Sequence, residues 1–306
     1  MRAKTITKFS PSDIIILGYY LVVAVFIVAA GVSCRLENWW RYFLHHLLVL
    51  TILPIFIIKF GALKRNLLSF LRLFYPILLF GSMYRETHDL DQVIFVRPLD
   101  FYFAEWDRIL FGCQPYIDFA TRFSSAWFSE IMHAGYFSYF IIIVLLPLVW
   151  WFRRRPDMVQ RRVFDLSFTF TVFYFIFILL PVQGPRVQIP EAASIPRNGY
   201  LFAPFFRWLF RTARIFGAAF PSSHCGVSAL VMANSIKDIP KGAKFVAIMS
   251  FAIFLSTVYG RFHYAVDVIY GAGLGLICYI LAPYVYRRFK GKGFSGPAGT
   301  LRAKSL

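Results

Sequence analysis

Eight stretches of this chain are apolar over close to the length that a bilayer demands. A helix crossing the hydrocarbon core needs about 20 predominantly apolar residues. The runs 13–33, 43–60, 66–83, 133–151, 163–181, 221–236, 243–260 and 264–286 meet that requirement loosely. Hydrophobic residues make up 58% of the 306, aromatic residues 20%, and the mean hydropathy is +0.61. A soluble domain cannot bury that much apolar surface. The expected fold is therefore all-α and polytopic, with about eight transmembrane helices. Two further apolar stretches carry too many charges to span. The stretch 199–216 holds Arg207, Arg211 and Arg214, and 97–112 holds Arg97, Asp100, Glu105, Asp107 and Arg108. Both read as interfacial helices.

The net charge of +18 would suit a nucleic-acid binder, but its distribution points elsewhere. Basic residues gather in alternate loops: Arg2, Lys4 and Lys8; Lys59, Lys64 and Arg65; Arg153–Arg155, Arg161 and Arg162; Lys237, Lys241 and Lys244; and the tail from Arg287. Cytoplasmic loops carry such an excess, so both termini are expected in the cytoplasm, as an even number of spans requires. The excess sets topology, and no nucleic-acid partner is implied. The acidic residues Glu86, Asp89, Asp91, Asp100, Glu105, Asp107, Asp118 and Glu130 fall on the outer side. The cysteines Cys34, Cys113, Cys225 and Cys278 show no metal-ligand spacing. Cys34 and Cys113 both face outward, which leaves a disulfide open, although two separate thiols is the simpler expectation. The run 13–33 is too long for a signal-peptide core and reads as a retained first span. The tail 287–306, rich in glycine and basic residues, reads as flexible.

Counting spans from a cytoplasmic N-terminus brings three segments to one face: Pro185-Arg186, Pro221-Ser222-Ser223-His224, and Arg261-Phe262-His263 through Asp267. Proline suits a first helical turn. Free N–H groups there, with the hydroxyls of Ser222 and Ser223, form an anion site. Arg186 offers a two-pronged contact to phosphate oxygens. His263 and Asp267 are spaced i,i+4 and share a helix face. The carboxylate can then orient the ring and leave the other nitrogen free as a nucleophile. His224 is placed to protonate a leaving oxygen. Arg261 follows Thr257 by one turn and reads as a further phosphate contact. Glu86, Asp89 and Asp91 are candidate head-group contacts beside a solvated-loop reading. His45, His46 and His133 read as structural.

These segments resemble the type 2 phosphatidic acid phosphatase superfamily. The match lies in Pro221-Ser222-Ser223-His224 and in Ser256-Thr257 followed after five residues by His263 and after three more by Asp267. Arg186 follows Pro185 where the family pattern has arginine before proline. Leu179 stands at the family's lysine, and Thr257 at the arginine of its third motif. Gly184-Pro185-Arg186, Tyr259-Gly260-Arg261-Phe262-His263-Tyr264 and Trp106-Asp107-Arg108 look most like the inositol phosphorylceramide synthase-type branch. The resemblance implies a helical-bundle catalytic core, no cofactor or metal, and a phosphohistidine on His263. It implies as substrates a membrane lipid and either a hydroxyl acceptor or water. The expected organisation is an accessory layer over 1–132, a catalytic core over 133–286 and the tail. The expected setting is a bacterial inner membrane with the site facing the periplasm.

Overall fold

The computed structural model describes residues 9–60, 67–194, 198–213 and 217–290, and every regular element among them is helical. The first layer is α1 (Pro11–Val32), α2 (Trp39–Lys59) and α3 (Leu67–Leu90). A shorter pair, expected on the outer side, follows as α4 (Asp100–Phe111) and α5 (Pro115–Arg122). The long pair α6 (Ala126–Phe152) and α7 (Pro156–Leu179) leads into three short helices, α8 (Pro185–Gln188), α9 (Pro190–Ser194) and α10 (Phe202–Ala213). The bundle closes with α11 (Ser223–Asp238), α12 (Pro240–Tyr259) and α13 (Ala265–Lys290). Arg2, Lys4, Lys8, Lys64, Arg65, Arg197, Arg214 and the tail from residue 291 lie outside the described residues.

Among the described residues, seven helices are long and apolar enough to cross a membrane: α1, α2, α3, α6, α7, α12 and α13. The expected sixth span, 221–236, is the exception. Its helix α11 has 16 residues, about 24 Å at 1.5 Å per residue. It still passes from one end of the bundle to the other, buried among α6, α7, α12 and α13, so it meets protein where the others meet lipid. The exposed faces of the remaining helices carry many apolar residues, among them Leu48, Ile52, Leu78, Phe245, Phe251 and Ile277.

Helix ends follow local polar chemistry rather than the edges of the apolar runs. Ser10 caps α1 by accepting from the Asp13 N–H, and Asp13 accepts from the Ser10 N–H at 2.6 Å. That reciprocal pair satisfies two otherwise orphaned donors. Asp13 also pairs with Arg72 and accepts from the Tyr75 hydroxyl at 2.6 Å, joining the starts of α1 and α3. Helix α3 runs beyond its expected end at 83, so Glu86 and Asp89 ride on a helix. Helices α3 and α7 are parallel, with Phe80 against Phe170 and Tyr84 against Phe177. At the start of α7, Arg162 bonds Asp165, Asp238 and Asn234, tying α7 to the end of α11.

The other end of the bundle is held by carboxylates of the outer segment. Asp107 accepts from the N–H groups of Ala265 and Val266, both at 2.9 Å, and so caps α13 from a different helix. Asp100 accepts from the N–H groups of Gln183 and Gly184 at 2.9 and 2.7 Å and from the Tyr264 hydroxyl at 3.0 Å. Glu130 accepts from the N–H groups of Tyr200, Leu201 and Phe202 at the start of α10. Burial pushes the carboxyls of Asp100 and Asp107 up, against the lowering effect of the N–H groups they accept from. Replacing Asp107 with Ala should leave two N–H groups without acceptors and cost about 2–3 kcal/mol. Thermal unfolding in detergent should show a lowered midpoint, with Asp107→Asn intermediate. A midpoint equal to wild type would remove Asp107 from the framework.

Candidate active site

Helices α11 and α13 run side by side and almost touch. A Cβ on Gly271 would collide with the Ser222 backbone, and one on Gly275 with that of Gly226. This crossing has room for hydrogen only, which is why glycine occupies it. It brings the first turn of α11 against the first turn of α13, and Ser222 N donates to Asp267 O at 3.1 Å. Pro221 lies ahead of the first turn expected to contain it. Ser222 is the N-cap, its hydroxyl accepting from Cys225 N at 3.4 Å, so the helix starts at Ser223 and the Phe220–Pro221 peptide is cis. The N–H groups of Ser223 and His224 have no hydrogen-bond acceptor among the described residues.

His263 lies in the turn between α12 and α13, 3% exposed. Its Nδ1 is 2.7 Å from the Ala219 carbonyl and 3.5 Å from Asp267 Oδ2. The nearest acceptor to the ring is thus a backbone oxygen, with the carboxylate behind it. Asp267 Oδ2 also accepts from Tyr264 N at 2.9 Å, so the same side chain closes the start of α13. A carbonyl can only accept, so Nδ1 carries the proton. Burial, with Arg186 as a smaller contributor, pushes the His263 imidazole down to about 4, while the Ala219 bond opposes the shift. The ring is therefore neutral near pH 7, with an unprotonated Nε2. Facing it at 3.3 Å is His224 Nδ1, which must donate. His224 Nε2 then accepts from the Tyr136 hydroxyl at 2.8 Å. Tyr136 and Tyr139 flank the His224 ring, with centroids at 4.8 and 4.2 Å.

Arg186 sits on α8, which is docked against the turn holding His263. Its N–H donates to Arg261 O at 3.0 Å, and Gly184 adopts φ +91 with its Cα facing Phe262 O, where a side chain would clash. The Arg186 guanidinium lies 3.8 Å from the Phe210 ring and 5.3 Å from that of Phe262. It makes no hydrogen bond or ion pair with a described residue, and burial lowers its basicity. Its charge reaches His263 and Tyr136. Arg261 does not continue the face of α12. The helix ends at Tyr259, Arg261 takes φ 59, and its Nη1 donates to Ala192 O at 3.2 Å. Burial brings the Arg261 guanidinium down to about 10, with Arg186 adding to the shift. Thr257 is fully buried, with its hydroxyl donating to Phe254 O.

The structure gathers His224, His263, Asp267, Ser222, Ser223 and Arg186 around one point, with Arg261 behind the last. The other three candidates lie apart. Glu86 accepts from Tyr19 at 2.8 Å and is 3.5 Å from His46, within the first layer. Asp89 lines an open cleft of about 420 Å³ with Glu37, Asn38, Arg41, Tyr42 and His88. Asp91 is buried beside Gly217, its carboxyl pushed up to about 7 by burial and then by Asp89 and Asp100. No hydrogen bond or ion pair joins any of the three to the histidine pair. His133 bonds its own helix at Ser129 O, in line with a structural part. Among the described residues, no group of three or more His, Cys, Asp or Glu is placed to hold a metal, and Cys34 and Cys113 are free thiols. Sequence reasoning passed over Tyr136, Tyr139 and Phe210, because aromatic residues are so common in the chain that none stands out.

A family profile described as PAP2 superfamily matches residues 106–281, more than half of the chain. A PA-phosphatase related-family protein of Dictyostelium discoideum is 26% identical over 172 residues, covering 49% of this chain and 31% of that protein. The chain thus spans less than a third of that relative's length. No solved structure matches. With the paired histidines, the carboxylate and the arginine lying inside the matched range, the chain belongs to the PAP2 superfamily.

Proposed function

We propose that this protein transfers a phosphoryl-bearing group from a membrane lipid through a phosphohistidine formed at His263. The observation that carries the reading is the pair of facing rings: an unprotonated His263 Nε2 opposite a protonated His224 Nδ1, 3.3 Å apart. A phosphoryl group entering between them replaces that hydrogen bond. It then meets a nucleophile on one side and a proton donor for the leaving oxygen on the other. Asp267 and the Ala219 carbonyl hold the His263 ring, and their contacts with Nδ1 balance the positive charge that develops on attack. Arg186 answers the charge on the equatorial oxygens, its guanidinium held between two rings without a carboxylate partner. Ser222 contributes as the cap that sets the start of α11. Ser223 and the unpaired N–H groups of that first turn complete the anion site, and Arg261 supports Arg186 from the 189–194 side.

The ending that fits best is transfer to a hydroxyl acceptor. His263 and Asp267 are almost fully buried, and Phe206, Phe210 and Phe262 close over the site. That cover keeps bulk water from the intermediate and favours an alcohol brought in as a bound head group. The resemblance of 184–186 and 259–264 to the inositol phosphorylceramide synthase-type branch supports head-group transfer between phospholipid and sphingolipid. Release of phosphate to water is the second reading, and the name of the Dictyostelium relative favours it. The distribution of lysine and arginine supports an inner-membrane protein with cytoplasmic termini and an outward-facing site.

Purified protein given phosphatidic acid or phosphatidylinositol labelled at phosphorus should acquire acid-labile, alkali-stable label, and chromatography of the products should resolve free phosphate from a new lipid. His263→Ala should lose both label and turnover while still purifying as folded protein. Near-normal turnover in that variant would end the assignment. For orientation, Gln188→Cys and Arg154→Cys can be made in a background without Cys34 and Cys113. An impermeant thiol reagent should label position 188 from outside and not position 154. The reverse pattern would turn the site toward the cytoplasm.

A further inference from the structure

His224 has a difficulty as a proton donor that the surrounding hydrogen bonds resolve. The Ala219 carbonyl fixes the first two bonds, since Nδ1 of His263 donates to it and Nε2 of His263 then accepts from His224 Nδ1; with His224 neutral, its Nε2 accepts from Tyr136. Between the Tyr136 and Tyr139 rings, where burial disfavours a charged imidazole, His224 enters the reaction neutral, with a single N–H. A neutral imidazole that surrenders its only N–H becomes an imidazolate, a much stronger base than a phenolate. We infer that Tyr136 is a positioning and proton-relay residue, which holds the donor tautomer of His224 and passes its hydroxyl proton to Nε2 as Nδ1 protonates the leaving oxygen. The inference rests on the phosphoryl-transfer reading above and adds to it the source of the proton.

The step balances. The His263 Nε2 lone pair forms the N–P bond as the P–O bond to the lipid breaks. The leaving oxygen gains the proton from His224 Nδ1, and His224 Nε2 gains the proton from the Tyr136 oxygen. The resulting phenolate lies within electrostatic reach of the Arg186 guanidinium, which has no carboxylate partner among the described residues. In the second half, the acceptor hydroxyl attacks phosphorus and gives its proton to Nδ1, the N–P bond breaks, and the Nε2 proton returns to Tyr136. The net result moves one proton from acceptor to leaving alcohol. The geometry serves this purpose. Tyr136 projects from α6, 5% exposed, with its ring clamped 4.4 Å from Phe262 and 4.9 Å from Phe206. Its hydroxyl therefore has a fixed direction, and removing the oxygen leaves the packing intact.

Leaving-group dependence separates this role from a structural one. An alkyl phosphate such as phosphatidic acid needs a proton as the bond breaks, whereas 4-nitrophenyl phosphate leaves as a stable phenolate. Tyr136→Phe should lose about a hundredfold in kcat on phosphatidic acid and less than about threefold on 4-nitrophenyl phosphate, with KM little changed, and His224→Ala should show the same pattern. Equal losses on both esters would make Tyr136 a packing residue, and no loss on either would remove it from the reaction; each result overturns the inference while leaving phosphoryl transfer standing. A wild-type protein that turns over none of phosphatidic acid, phosphatidylinositol and 4-nitrophenyl phosphate would overturn the phosphoryl-transfer reading and this inference with it. Should Tyr136→Phe fail to fold, 3-fluorotyrosine at 136 keeps the ring and makes its hydroxyl more acidic. The relay then requires a changed rate on phosphatidic acid and an unchanged one on the aryl ester, and equal rates on phosphatidic acid with and without fluorine would overturn it.

Discussion

Asp100 and Asp107 of α4 govern the geometry at this end of the molecule. Between them they take the N–H groups of Gln183, Gly184, Ala265 and Val266 and the hydroxyl of Tyr264. The first pair fixes the turn that carries Arg186, and the second fixes the start of the helix that carries Asp267. Backbone groups left unbonded in a bilayer are costly, and a charged acceptor gives them stronger bonds than a neutral one. A segment that contributes no side chain to the histidine pair therefore decides where the reacting groups stand. Two of the three acids of α4 serve this bracing, while Glu105 pairs with Arg108 on the exposed face.

Around that bracing the site is dry and aromatic. His224 is flanked by Tyr136 and Tyr139, and Arg186 by Phe210 and Phe262. Charges in such surroundings are costly when alone and interact strongly when paired. An imidazole there stays neutral at physiological pH, as His263 does, and the Arg186 guanidinium, with no carboxylate partner among the described residues, is the basis of the proposed anion site. The same rings that bury the site also orient the charged and hydrogen-bonding groups beside them.

Several features were legible from residue order alone. Apolar runs placed the long helices to within a turn at most ends, and alternation of basic loops put the motif segments on one face. The i,i+4 spacing of His263 and Asp267 brought them to one helix start. Others were not. Helix α11 is shorter than a lipid-facing span requires, because its neighbours are protein and not lipid. Thr257 and Arg261 appeared to share a face, but α12 stops at Tyr259, and the left-handed Arg261 sends its guanidinium to Ala192. Glu86, Asp89 and Asp91 look alike as a run of acids near a membrane surface. Packing divides them among a buried bond to Tyr19, an open cleft and a position beside Gly217.

By itself the sequence determined the class of the protein, its helices and the residue types available for phosphate chemistry, because these follow from hydropathy, charge and short-range spacing. Tertiary structure alone decided that Ala219 and not Asp267 makes the closest contact to His263. It also decided that the two histidines hydrogen-bond each other, and that Tyr136 completes their line. Those partners lie 44, 39 and 88 residues apart in the chain. Hydrogen bonds act over about 3 Å, so no local pattern of residues records them until the helices have packed.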